Sequence, residues 1–331
     1  MHSIAPVKTL ALGMGCAPLG NLFEAISEPR AQAALAAALA TGCQDFDTAP
    51  HYGNGLSEHR LGVALRNVPR DSVNVSSKVG RLLRPSAHAP GAQHGYTDVL
   101  PFEQVWDYSA AGVRRSVEDS LQRLGLARLD IAYVHDCCAV THGAAYPNVL
   151  HQVIHEAIPA LKRLKAEGLI GSYGLGVNDV QVCFDVLAQC DLDALMLAGR
   201  YSLIDHSAAA LLALCAQKRV RVHLGGVFNS GILATGTRGR AVPLFNYATA
   251  SAHWIVQVNA IEKVCDAFAL PLRAAALQFP LAHPAVQKIM VGVRSNEEWL
   301  DALAMAQYPI PPEFWSALRV AGLLPKEVVP A

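Results

Sequence analysis

The sequence predicts a closed (β/α)8 barrel, a single domain over residues 1–331, and three observations predict it. Short, near-continuous apolar runs recur along the chain, the pattern of parallel strands covered on both faces. An amphipathic stretch of helical period follows each run. The 331 residues hold eight such units with no linker between them, which suits one barrel of about 250 residues plus insertions. An open doubly wound sheet would need a glycine-rich fingerprint after its first strand. The candidate there, Gly13-Met-Gly15-Cys-Ala-Pro18, puts proline where the third glycine belongs and opens no helix.

The elements follow in order. Residues 9–15 form the first strand, and the helix 30–41 stops at Gly42. Strand 43–47 leads to helix 57–66, and strand 73–78 to helix 109–124 across a loop at 80–107. Strand 129–135, a loop at 136–149 and helix 152–167 come next, closed by Gly168. Asn178-Asp179 then opens helix 179–189 after strand 170–176. Strand 194–199 precedes helix 207–218, and strand 220–226 precedes a loop at 233–252 and helix 254–269. Strand 287–292 and helix 296–306 close the set, with an extension after 307.

Composition narrows the function. Apolar residues make up 52% and charged residues 16%, enough apolar side chains for a large core. Lys+Arg and Asp+Glu both total 27, so the basic footprint of a nucleic-acid binder is missing. The mean hydropathy is +0.25, yet no apolar run approaches the ~20 residues that span a bilayer, and no membrane partner is expected. The N-terminal segment lacks a signal peptide's features, and a cytoplasmic enzyme acting on a small molecule is expected. Eight cysteines are scattered with no C-x-x-C pair, and His151 and His155 lack the glutamate of a zinc-protease helix, so no metal is expected. The oligomeric state is not legible.

In a barrel, reactive residues collect at the C-terminal ends of strands. Those ends supply Asp47, Lys78, His135 and Asn178, with Tyr52 in the loop after Asp47. A free tyrosine titrates near pH 10, too high for ready proton exchange at neutrality. A lysine ammonium beside it favours tyrosinate. Asp47 would hold that lysine charged, and His135 would position a substrate oxygen. The set suits proton transfer in a carbonyl/alcohol interconversion.

FDTAPHYGNGLSEHRLG, VSSKVGR, YVHD, GLGVN and VGVRS together resemble the aldo-keto reductase superfamily over nearly the whole chain. The resemblance implies a barrel that moves hydride between a nicotinamide and a carbonyl or alcohol carbon. It makes Tyr52 the general acid/base, Lys78 and Asp47 its tuning partners, His135 the substrate-orienting group and Asn178 the holder of the nicotinamide carboxamide. WDYS, RRSVEDSLQRLGL, VHD with THG, and GGVFNSGILA are similar to the branch of D-threo-aldose and L-fucose dehydrogenases, with pyridoxal 4-dehydrogenases close by. Ala198 stands where that superfamily often has Gln, and Gly225 where it often stacks a Tyr; Phe228 is the replacement for the stacking ring.

The cofactor is expected at two glycine-bearing turns. Asn229-Ser230-Gly231 follows the seventh strand, and Gly292, Arg294 and Ser295 lead into the last helix, whose N-terminus favours anions. Ser295 through Glu298 also reads as a capping box. The resemblance places Glu298 where NADP-using members often present an Arg to the 2′-phosphate; a carboxylate there repels that phosphate and can accept from a ribose hydroxyl, which favours NAD, with NADP possible through Arg294. The substrate expected is a neutral aldose of the L-fucose, L-galactose or D-arabinose type, oxidised at C1 to its lactone. Trp106, Tyr108 and Asp136 would contact it, with Phe102 and Tyr146 among the surrounding aromatics. The alternatives are a pyridoxal 4-dehydrogenase, a general aldehyde reductase, and a non-catalytic nucleotide-sensing subunit.

Overall fold

The computed structural model describes residues 11–89, 91–239 and 242–325. Eight parallel strands close into a barrel: β1 (Leu12–Gly15), β2 (Asp45–Asp47), β3 (Asn74–Val79), β4 (Leu129–His135), β5 (Ile170–Val177), β6 (Ala194–Ala198), β7 (Arg221–Gly225) and β8 (Val286–Gly292). Each pairs with its neighbours in sequence, and β1 closes the ring on β8. All eight coincide with the apolar runs of the sequence to within about two residues at each end; residues 9 and 10 of the first run lie outside the described residues. The barrel interior is filled rather than open: Tyr133, Met196 and Met290 are buried there, and the Tyr133 hydroxyl meets His223 Nδ1 at 3.0 Å.

The outer ring is α1 (Glu28–Ala40), α2 (Leu56–Leu65), α3 (Ala110–Leu124), α4 (Ile158–Ala166), α5 (Gln181–Leu187), α6 (Ala209–Lys218), α7 (Leu272–Leu281) and α8 (Asn296–Ala306). One assignment is corrected. The expected seventh helix, 254–269, is an additional helix, Ala252–Ala267, and the helix that packs on β8 is α7. Sequence periodicity passed over α7 because Pro280 lies inside it and buried alanines dominate it. A further helix, Pro312–Val320, covers Ala252–Ala267. Among the described residues no single helix is long and apolar enough to cross a membrane.

The expected loop at 80–107 is partly ordered. Arg81–Pro85 and Phe102–Trp106 form an antiparallel hairpin, and the segment between them returns Tyr96 to a bridge with Leu22. This hairpin stands at the C-terminal end of the barrel, beside the ends of β3 and β4.

Candidate active site

Strand register brings the expected groups together. β2 ends on Asp47, β4 ends on His135, and Lys78 lies one residue before the end of β3. The Lys78 ammonium, 3% exposed, donates to Asp47 Oδ2 at 2.7 Å and to the Thr48 carbonyl at 2.9 Å. The Ser76 hydroxyl donates to the other Asp47 oxygen at 2.7 Å.

Tyr52 rests on that ion pair. The Lys78 ammonium lies 4.6 Å from its ring centroid, and the His135 ring meets it edge-on at 6.2 Å. The loop carrying Tyr52 is held from below. Gly20 presses on its backbone so closely that a Cβ would come within 2.5 Å of the Tyr52 carbonyl carbon. The Ser57 hydroxyl donates to the Cys16 carbonyl at 2.8 Å. Glu58, fully buried, accepts from Ser77 Oγ at 2.7 Å and Arg123 Nε at 2.5 Å. The Ser-Glu pair of the motif is thus an anchor for the tyrosine's loop, and neither residue lines the cavity beside Tyr52.

The electrostatics depart from the expectation of a tyrosinate tuned down by Lys78. Burial, and then the Asp47 charge, push the Tyr52 phenol well above its usual range. Desolvation of the charged form outweighs the ammonium here, so the phenol is neutral at pH 7. Burial, then the charges of Arg81 and Lys78, hold His135 well below the usual imidazole range, so it is neutral too. Its Nδ1 is buried without a partner, while Nε2 lies 3.5 Å from Asp136 Oδ2, which favours the proton on Nε2.

A cavity of about 660 Å³ opens over these groups. Asp136 is in its wall, at a left-handed φ of 46° and paired with Arg81 at 2.6 Å. Trp106 and Tyr108 are not. Tyr108 is buried behind His135 and donates to its carbonyl at 2.8 Å; Trp106 stacks on Tyr108 and receives the Arg81 guanidinium at 3.9 Å. The strand Phe102–Trp106 carries Trp106 away from the opening, which the sequence, read as a loop, did not reveal. Four residues that sequence reasoning did not single out, His51, His94, Tyr96 and Tyr247, do line the cavity. His51 was visible as the residue beside Tyr52; the other three come from inserted segments with no strand-end signal.

The cavity runs on past Asn178 and Tyr247 to Phe228 and the turn Asn229-Ser230-Gly231. Gly226 enters this turn at φ 62°, and Asn229 and Ser230 follow at 46° and 61°. Asn229 Nδ2 donates to the Gly199 carbonyl at 3.2 Å, leaving its Oδ1 buried and unpartnered. The cavity ends against Gly292, Arg294 and Glu298. Ser295 lies outside the wall and caps α8, accepting from the Glu298 amide. Glu298 accepts from the Arg294 amide at 2.8 Å and pairs with its guanidinium at 2.8 Å, and Glu24 takes the same guanidinium at 3.0 Å. A long cavity with an orphaned amide oxygen, a turn at Gly231 open to a backbone approach and a helix start at its far end fits an elongated, phosphate-bearing dinucleotide.

A model of the aldo/keto reductase family matches residues 11–321. The chain is 42% identical over 325 residues to a pyridoxal 4-dehydrogenase of Microbacterium luteolum, covering 95% of this chain and 94% of that one. It is 37% identical over 320 residues to a D-threo-aldose 1-dehydrogenase of a Pseudomonas species, with the same 95% and 94% coverage. Among solved structures it is similar to an aldo-keto reductase of Bacillus halodurans in its holo form (TM-score 0.73, 23% identity, 96% and 93% coverage). It is also similar to one of Klebsiella pneumoniae in complex with NADP and acetate (TM-score 0.67, 21% identity, 96% and 93% coverage).

Proposed function

The chain belongs to the aldo/keto reductase family and is an NAD(P)-dependent oxidoreductase, and from that premise we propose that it oxidises a neutral, unphosphorylated cyclic hemiacetal to its lactone, using NAD. The observation that carries the reading is the buried Lys78–Asp47 pair directly beneath the Tyr52 ring, with neutral His135 facing it. A bound nicotinamide dinucleotide supplies the two-electron acceptor that takes hydride from the reacting carbon.

The protein's part is to move one proton and fix one oxygen. Tyr52, as phenolate, accepts the hemiacetal hydroxyl proton while the C–O bond becomes a carbonyl; in reverse the phenol returns it. Lys78 beneath the ring stabilises the phenolate, and Asp47 keeps the ammonium in place. His135 Nε2–H donates to the reacting oxygen. Asn178 and Phe228 would flank the nicotinamide, with Asn229 through Gly231, Gly292 and Arg294 around the phosphates.

Two substrate families share this chemistry, since aldoses and free pyridoxal both close to cyclic hemiacetals and both yield lactones. The wall favours pyridoxal. The aromatics that carried the sugar reading, Phe102, Trp106, Tyr108 and Tyr146, are not in it. Leu22, Phe23, Tyr96 and the imidazoles of His51 and His94 are, and the nearest carboxylate, Asp136, is paired with Arg81. Such a surface suits a flat amphipathic ring better than a pyranose that needs free carboxylates. An aldose is the second reading, supported by the 37% identical relative. Among the described residues of the wall, the cations are Lys78, Arg273 and Arg294, all paired with carboxylates, which disfavours a phosphorylated substrate.

The test is turnover of pyridoxal, L-fucose, L-galactose and D-arabinose with NAD+ and NADP+, read by absorbance of the reduced nicotinamide, with the lactone identified by mass spectrometry. Pyridoxal is expected to exceed each sugar in kcat/KM by more than about tenfold, ~1.4 kcal/mol of transition-state binding. A sugar in first place reverses the order of substrates, and no turnover of any hemiacetal overturns the reading.

A further inference from the structure

Asn54 settles which atom of His51 carries a proton. Its Nδ2 donates to two backbone carbonyls, of Leu100 at 3.1 Å and Phe102 at 2.7 Å, so its Oδ1 is an acceptor. Gln104 Nε2 donates to that oxygen at 2.7 Å, which turns Gln104 Oε1 toward Arg81 and His51. Arg81 can only donate, and does so to Oε1 at 3.0 Å. The contact of His51 Nδ1 with the same Oε1, at 2.9 Å, therefore has the imidazole as donor. With the proton on Nδ1, His51 Nε2 is a bare lone pair on the ring edge opposite the Gln104 bond, and His51 lines the cavity. Burial, and then the charges of Arg81 and His135, hold this imidazole well below its usual range, so it does not gain a second proton at neutral pH.

Its place matters as much as its tautomer. The His51 ring lies 5.6 Å from the His135 ring and 6.1 Å from the Tyr52 ring. These are ring-to-ring contacts, so the two imidazoles and the phenol sit side by side in the wall of one cavity, where two neighbouring oxygens of one small molecule meet both imidazoles. One imidazole there is a donor and the other an acceptor. His135 suits the reacting oxygen, and His51 suits a group that must itself donate.

Resting on the reading of the site as a hemiacetal dehydrogenase, we propose that His51 is its specificity residue: Nε2 accepts a hydrogen bond from a substrate hydroxyl flanking the reacting carbon. Substrates lacking that hydroxyl leave a desolvated acceptor unpaired, the arrangement that gives the largest discrimination between close analogues. The tautomer is fixed by the inserted hairpin, through Gln104, and not by the barrel.

The experiment compares kcat/KM with NAD+ for two pairs that differ only in this hydroxyl. The first pair is 2-(hydroxymethyl)benzaldehyde and its 6-hydroxy derivative, in which the formyl group is flanked by a hydroxyl and a hydroxymethyl group as in pyridoxal. The second is D-arabinose and 2-deoxy-D-arabinose. The wild-type enzyme is expected to prefer the hydroxylated member of the pair it accepts by about thirtyfold or more. In His51→Phe the ratio should fall below about threefold, whatever happens to each rate. His51→Gln, which offers an amide oxygen as acceptor, should restore it above about tenfold. NAD+ binding, followed by quenching of protein fluorescence, verifies that each variant is folded. A wild-type ratio near one, or a ratio unchanged in His51→Phe, overturns the assignment of His51. Loss of turnover on all four compounds in the wild type overturns the hemiacetal reading instead.

Discussion

Replacing either partner of the Lys78–Asp47 pair should destabilise the barrel, while replacing both should not. The two side chains are 3% and 5% exposed and meet at 2.7 Å. Asp47→Asn leaves the ammonium with only amide and carbonyl oxygens, and Lys78→Met leaves the carboxylate with only the Ser76 hydroxyl. An uncompensated buried charge costs about 3–5 kcal/mol. Unfolding entropy of about 2.1 cal/mol/K per residue gives a chain of this length about 0.7 kcal/mol/K, so each single variant should lose about 4–7 °C in Tm. The double variant removes both charges at once and keeps the Ser76 bond, so its Tm should return to within about 2 °C of the wild type. All three proteins should be inactive. Thermal unfolding by circular dichroism, run as a double-mutant cycle, measures this directly. Additive losses, with a coupling under about 1 kcal/mol, would refute the idea that a costly buried pair is kept for its chemistry and not its stability.

The raised Tyr52 phenol sets the pH dependence of oxidation. Oxidation needs the phenolate, so kcat/KM should climb with pH, by up to about tenfold per unit, from pH 7 to 9; a flat profile would contradict Tyr52 as the base. Buried His51, His135 and His223 are all held below the usual imidazole range. They bind fewer protons folded than unfolded, so stability is present above about pH 6.5 and falls below it, by up to about 1.4 kcal/mol per histidine per pH unit. Urea unfolding at pH 7 and pH 5 should show the loss. Arg294 is already held by Glu24 and Glu298, so a 2′-phosphate meets no free guanidinium. NAD+ should therefore exceed NADP+ in kcat/KM, and the ratio should narrow in Glu298→Gln; a preference for NADP+ would refute the argument.

The barrel strands were legible because burial on both faces imposes near-continuous apolar runs on them. The three groups around Tyr52 were legible for the same reason: Asp47, Lys78 and His135 are polar residues at or near the ends of such runs. What remained hidden depends on side-chain direction and on partners distant in sequence. Nothing local shows that Trp106 turns outward onto Arg81 while Tyr96 turns inward, because both lie in segments without periodicity. The Tyr52 shift was misjudged because the sequence displays the ammonium but not the depth of burial that outweighs it. Glu58 was visible only as a letter of the FDTAPHYGNGLSEHRLG stretch, and its bonds to Ser77 and Arg123 show that it fastens the loop.

The hairpin Arg81–Pro85 with Phe102–Trp106 divides labour in a way that bears on how such enzymes diversify. Proton exchange rests on strand ends shared by the whole barrel, whereas the orientation of His51 rests on Gln104, a single side chain in an excursion between β3 and α3. The excursion pairs Arg81–Pro85 antiparallel with Phe102–Trp106, and it is tied to the neighbouring loops through Leu22, Asn54 and Asp136. Grafting a hairpin of different sequence there would rewrite which molecules are accepted while leaving the hydride chemistry in place.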